Sequence, residues 1–375
     1  MKQKYTNQKG KIVPLWLAVS LLALSALTCH AQSGALNIYN WSDYIGETTN
    51  ADFEKESGIK VRYDIFDSNE LLHAKMVAGQ TGYDIVFPSI GWAKLQMDAG
   101  LLKKIDKSKI PNYKNLDPWV LAQLATVDPG NQYLLPYMWG ITTVGINTDK
   151  VRKALGDLPM PEDAWDLLFN PKYISRLKSC GVSMLDTGDE VIPAALRYLR
   201  RDPMSRNAAD YRDVHALLKT VRPYVTLFSS AGYINDLAGG ALCASLGWNG
   251  DIGIATLRAK EAKNGQNLEI LIPKSGAILY FDGMSIPADA KNVDNAYKWI
   301  DFMYRPDTQV GIVNKISYAN AVRASDPLIK PEVRANHGVF LKSDDLTKMV
   351  PLSALTNDVR RLRTKTYTAF KSGIE

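Results

Sequence analysis

Catalytic and metal-binding side chains are scarce in this chain of 375 residues. Of its four histidines, His30 falls in a leader-like N-terminus, and His73, His215 and His337 stand in isolated helical or loop contexts. Solvated or locally paired imidazole is the plain reading of each, so no metal is expected. A nucleophile-elbow Gly-x-Ser-x-Gly, a phosphate loop and a dinucleotide Gly-x-Gly-x-x-Gly are all missing. Gly247, Gly250 and Gly253 flank Trp248 at the wrong spacing for the last of these. No catalytic residue, no cofactor and no enzyme activity are therefore expected. Cysteine is just as sparse: Cys29 lies in the leader, which leaves Cys180 and Cys243. They form no Cys-x-x-Cys pair, which disfavours a redox or metal role. An even pair in an exported chain is expected to be bridged, with two buried thiols as the alternative.

A second hydrophobic run of membrane-spanning length is also missing, so the processed chain should be soluble. The first run is a secretory signal. Lys2, Lys4, Lys9 and Lys11 precede an apolar stretch over 12–27, and Cys29-His30-Ala31 closes it with a small residue. Acylation of Cys29 is an alternative, although the Leu that a lipobox wants three positions upstream is lacking. The expected signal peptide spans 1–31 and points to the periplasm. Its removal takes away four lysines and no acid. Of 45 basic and 39 acidic side chains, 41 basic ones then face the same 39 acids, a net charge near +2 rather than +6. A nucleic-acid partner loses its support.

What is present is a strand–helix alternation. Strands are expected at 36–40, 59–65 and 83–87, with helices at 48–57 and 68–78 that end at Gly58 and Gly79. The pattern breaks near Tyr137-Met138-Trp139-Gly140, and a new strand is expected from Thr143. A second α/β unit follows, with strands at 181–185, 241–247, 268–272 and 279–286 and helices at 190–200 and 251–263. About 340 residues call for two domains. One is expected over 35–140 plus about 284–318, the other over about 141–283 plus 319–375, with no long Pro- or Gly-rich linker between them.

In open α/β sheets, ligands sit outside the carboxyl ends of the strands. There this chain collects Trp41, Ser42, Asp43 and Tyr44, then Ser89, Asp186 and Glu190, then Trp248 and Asp251; Tyr280 and Asp282 lie in a late strand. Each has a dull alternative as core, turn or first-turn helix residue. Together they describe a cleft of aromatic faces and carboxylates without Lys or Arg, which suits a small cation.

At these residues the chain resembles the periplasmic spermidine/putrescine-binding proteins of bacterial ABC importers. Asn40-Trp-Ser-Asp-Tyr44, Tyr83-Asp-Ile-Val-Phe-Pro-Ser89, Tyr233-Ile-Asn-Asp-Leu237 and Gly247-Trp-Asn-Gly-Asp251 carry the likeness, which runs from about Leu36 to the C-terminus. The resemblance implies a two-lobe type II periplasmic binding protein fold with the ligand between the lobes. It implies capture of a polyamine, putrescine before spermidine, and delivery to an ABC permease by a monomer. Trp41, Tyr44, Trp248, Tyr280 and Tyr318 would wall the slot, and Ser42, Asp43 and Ser89 would make polar contacts. Glu190, Asp251 and Asp282 would hold the ammonium groups. Cys180 and Cys243 match the family's cysteine pair. Tyr280, Gly91-Trp92 and Thr187-Gly188 depart from the pattern, which leaves ligand length open. A ligand-sensing receptor of the same fold, or a binder of another small cationic amine, is the alternative.

Overall fold

A computed structural model describes Met1 and residues 34–373 of the chain. Apart from Met1, the expected signal peptide with Cys29 lies outside the described residues.

The first sheet is parallel, in the order β2-β1-β3, from β1 (Ala35–Trp41), β2 (Lys60–Phe66) and β3 (Ile85–Val86). In β1, Leu36, Ile38 and Asn40 are buried on one face at strand period. The crossover helices start and stop where local chemistry directs. Ser68 accepts a hydrogen bond from the Leu71 N–H at 3.2 Å to open helix Asn69–Ala78. Gly58, at φ 70°, closes helix Thr49–Ser57 in the left-handed region that glycine adopts without strain.

The second sheet is built around two long strands. β4 (Leu135–Asn147) pairs antiparallel with β9 (Ile278–Met284) over its first half and with β7 (Ala244–Trp248) over its second. β5 (Val182–Met184) and β6 (Leu227–Phe228) continue the sheet beyond β7 in parallel. β8 (Leu268–Leu271) and β10 (Ala319–Asn320) also pair with β4, and β11 (Val350–Pro351) pairs with β9. The expected break at 137–140 is therefore absent: one 13-residue strand runs through it. Pro136 can sit inside that strand because the β4–β9 register shifts between Pro136 and Met138, a bulge that removes the need for its missing N–H.

β9 and the residue that follows it also reach the first sheet's side, through bridges Ser89–Asp282 and Val86–Ser285. Helices Val293–Met303 and Pro306–Ile316 then pack beside β1 and helix Thr49–Ser57. The last helix, Asn357–Ser372, lies on Gly188–Tyr198 and Ala208–Val221 of the other half. Cys180 and Cys243 are joined in a disulfide that spans 63 residues and ties the start of β5 to the start of β7. Among the described residues no helix is long and apolar enough to cross a membrane.

Candidate functional site

The two sheets face one another across a cavity of about 660 Å³. Its lining includes Trp41, Ser42, Tyr44, Ser89, Glu190, Trp248, Asp251, Tyr280, Asp282 and Tyr318, and no Lys or Arg. The strand-end logic explains the gathering: β1 delivers Trp41 to Tyr44, β3 delivers Ser89, β7 delivers Trp248, and β9 carries Tyr280 and Asp282 on one face. Glu190 and Asp251 fall in the first turns of helices Gly188–Tyr198 and Asn249–Glu261.

Asp43 is the exception. It does not line the cavity; at φ 53° its backbone turns left-handed, and its carboxylate meets Arg258 at 2.5 Å on the far side of the turn. Asp186 is also outside, paired with Lys371 at 2.7 Å.

The three remaining acids are set alike. Asp251, Asp282 and Glu190 are 6 %, 6 % and 8 % exposed, and each is bonded by hydroxyls rather than by a base. Tyr318 and Tyr233 donate to the two oxygens of Asp251 at 2.5 and 2.8 Å. Ser89 and Tyr44 donate to the two oxygens of Asp282 at 2.6 and 2.9 Å. Thr142, from β4, donates to Glu190 in a very short bond. The glycines of Gly247-Trp-Asn-Gly-Asp251 make this possible. A Cβ on Gly247 would come within 2.6 Å of the Tyr233 ring, and one on Gly250 within 2.2 Å of the Tyr318 ring. Without side chains there, both phenols close over the helix start and reach Asp251.

Desolvation dominates the ionisation of these acids. Burial pushes Glu190 up to about 8, Asp251 to about 7 and Asp282 to about 6, against hydrogen bonds that pull the other way. The phenols of Tyr44, Tyr233, Tyr280 and Tyr318 are raised well above their ordinary value, mainly by burial, and so remain donors. Aromatic faces complete the walls: Trp41 and Trp248 meet edge-on with ring centres 6.0 Å apart, and Tyr44 meets Tyr318 at 4.7 Å.

Several members of the site carry no plain signal in the sequence. Tyr233 stands in the Tyr233-Ile-Asn-Asp-Leu237 segment, and nothing local marks its phenol as a partner of Asp251. Thr142 sits mid-strand, where no strand-end rule points. Asn69 holds Ser89 through two bonds, Nδ2 to Oγ at 2.9 Å and Oδ1 from the Ser89 N–H at 3.1 Å. As the capped start of a helix it reads as structural.

Residues 49–340 match the model of the family described as bacterial extracellular solute-binding protein. The putrescine-binding periplasmic protein PotF of Escherichia coli is 47 % identical over 358 residues, 95 % of this chain and 96 % of that protein. This chain belongs to that family. The spermidine/putrescine-binding periplasmic protein of E. coli is more distant, 35 % identical over 84 % of this solute-binding protein and 86 % of its own length. A putative spermidine/putrescine ABC transporter structure from Listeria monocytogenes superposes with a TM-score of 0.81 at 31 % identity, over 90 % of this chain and 99 % of that one. The two-sheet architecture is thus the type II periplasmic binding protein fold.

Proposed function

We propose that this protein captures putrescine or a diamine of similar length in the periplasm and presents it, chemically unchanged, to an ABC permease. The observation that carries the reading is the set of three buried carboxylates without a basic partner. A lone buried carboxylate costs several kcal/mol, and a fold that keeps three in one cavity needs a cationic guest. Each amine of a diamine has a pKa near 10 and is charged at neutral pH. Asp251 and Asp282 receive one ammonium and Glu190 the other, while Trp41, Trp248 and Tyr280 cover the methylenes between them. PotF, 47 % identical over 95 % of this chain, is named for putrescine, and the expected signal peptide fits export.

The lobes, as divided at 140/141 and about 284 and 318, would close as hinged bodies over the ligand, with β4 and β9 as the crossing strands. The protein acts as a monomer and returns its ligand unaltered. Calorimetric titration of the chain lacking residues 1–31 with putrescine, and with the neutral 1,4-butanediol, tests the reading. Tight binding of the diamine and none of the diol is expected; equal binding of the two overturns it.

A further inference from the structure

A second, smaller chamber of about 390 Å³ adjoins the ligand cavity. The two share Asp189, Glu190 and Tyr280 as walls, and Trp92, Arg360 and Arg363 line the second. Two arginines stand there beside the acids Asp189 and Glu190, whereas the ligand cavity has no base. Arg360 lies with its Cζ 4.0 Å from the centre of the Trp92 ring, well within range for a cation–π contact. Its Nη1 is 3.6 Å from Asp189 Oδ2, and Arg363 Nη1 is 3.8 Å from the other oxygen. The Trp92 indole N–H donates to Asp189 as well, at 2.9 Å. Asp189 lines the ligand cavity beside Glu190, yet two guanidiniums and an indole already claim its charge.

Three guanidinium nitrogens of these arginines make no hydrogen bond. Arg360 Nε and Nη1 and Arg363 Nε are buried without a hydrogen-bond acceptor. Arg363 is only 2 % exposed, and its Nη2 is held by the Pro203 carbonyl at 2.6 Å. Glu70, a further nearby acid, is pushed up to about 7 mainly by burial, and His73, 5.3 Å from Trp92, is lowered by burial. A guest group that accepts hydrogen bonds would find partners here. An ammonium would bring only further donors and a like charge, and the indole face it could have used is already covered.

We propose that Arg360, seated on Trp92 and paired with Asp189, is a specificity-determining residue that terminates the acidic cleft and selects diamines over polyamines with a third ammonium. This rests on the diamine reading above. A diamine satisfies its two charges between Asp251, Asp282 and Glu190. A triamine held there must push its third charge into the chamber of the two arginines, a juxtaposition of like charges that interfaces use to reject wrong partners.

Calorimetry with putrescine, spermidine and N-propylputrescine tests this. N-propylputrescine is spermidine without its terminal amine, one heavy atom shorter and with two charges instead of three. The unmutated protein should bind spermidine at least about tenfold more weakly than putrescine, and more weakly than N-propylputrescine. Arg360→Gln should narrow the putrescine–spermidine gap about tenfold by tightening spermidine, because one like charge is removed and Asp189 then keeps only Arg363 as a cationic partner. Arg360→Lys should keep the gap. An unchanged gap in Arg360→Gln overturns the proposal. Should that variant fail to fold, the ligand pair decides on the unmutated protein: spermidine binding as tightly as N-propylputrescine overturns it. If putrescine itself does not bind, the diamine reading falls too; if putrescine binds but the gap is absent, only the role of Arg360 falls.

Discussion

Glu56 and Asp251 carry the same functional group under opposite physics. On the surface, Glu56 takes both guanidinium nitrogens of Arg305 at 2.7 Å, and that bond lowers its pKa. Glu54 with Lys60, and Asp294 with Lys109, follow the same rule. In the cleft, Asp251, Asp282 and Glu190 have hydroxyl partners and no base, and burial raises all three. Surface acids are complete within the chain and add little, since exposed ion pairs contribute about 0–1 kcal/mol. The cleft acids are incomplete within the chain, and their missing counter-charge is what defines the ligand. The difference separates a solvated surface from a binding site better than residue type does.

The largest expected effect follows from removing one cleft charge while keeping its shape. Asp251→Asn or Asp282→Asn should weaken putrescine binding by about 30- to 5,000-fold, the cost of about 2–5 kcal/mol for breaking a desolvated charge pair. Titration calorimetry reads it, and unmutated affinity in both variants would break the comparison.

Acidification should remove the same charges reversibly. The cleft acids take up protons between about 8 and about 6 as pH falls. Affinity should therefore drop steadily from pH 8 to pH 5, by up to about tenfold per pH unit for each group that must release a proton. The ligand's amines stay charged throughout this window, so they contribute no opposing trend. A flat profile of affinity over pH 5–8 contradicts the assignment.

Stability of the ligand-free protein should respond with the opposite sign. A carboxyl whose folded-state pKa is raised contributes stability below its unfolded value near 4, and loses it as pH rises through the folded value. Asp251→Asn should thus stabilise the empty protein at pH 8 by about 1–3 kcal/mol, read as a higher Tm, while it weakens the liganded one. A lower Tm in the empty variant would show that the hydroxyl cage outweighs desolvation.

Glu56→Gln gives the smallest effect. It should cost less than about 1 kcal/mol of stability and leave putrescine affinity unchanged within about twofold. A larger loss of affinity would mean that the surface pair reaches the cleft.

Much of the cleft was legible because α/β sheets gather ligand groups at strand ends, and Trp41, Ser89, Glu190, Trp248 and Asp251 all fall there. Asp43 obeyed the same rule and still missed, because a left-handed backbone is invisible in the residue type and turned it toward Arg258. Thr142 was hidden for the reverse reason: it sits mid-strand, and only the packing of helix Gly188–Tyr198 on β4 brings Glu190 to it. The continuous β4 strand was also obscured. Pro136 and Gly140 read as punctuation, whereas a bulge absorbs the proline, and Gly140 leaves room for Asn249 and Tyr280. Strand termini are written locally in the sequence; the partner of Thr142 lies 48 positions away, and the β4 bulge depends on a strand more than 100 positions away.

The most direct test of the uncompensated cleft is the number of protons released when putrescine binds at pH 7, read from the dependence of the calorimetric enthalpy on buffer ionisation. With Asp251 and Glu190 raised to about 7 and about 8, the empty site holds protons that the dication must displace. Net release on the order of one proton is expected, decreasing in Asp251→Asn and in Glu190→Gln. Binding of putrescine at pH 7 with no proton release, or with uptake, would contradict the account.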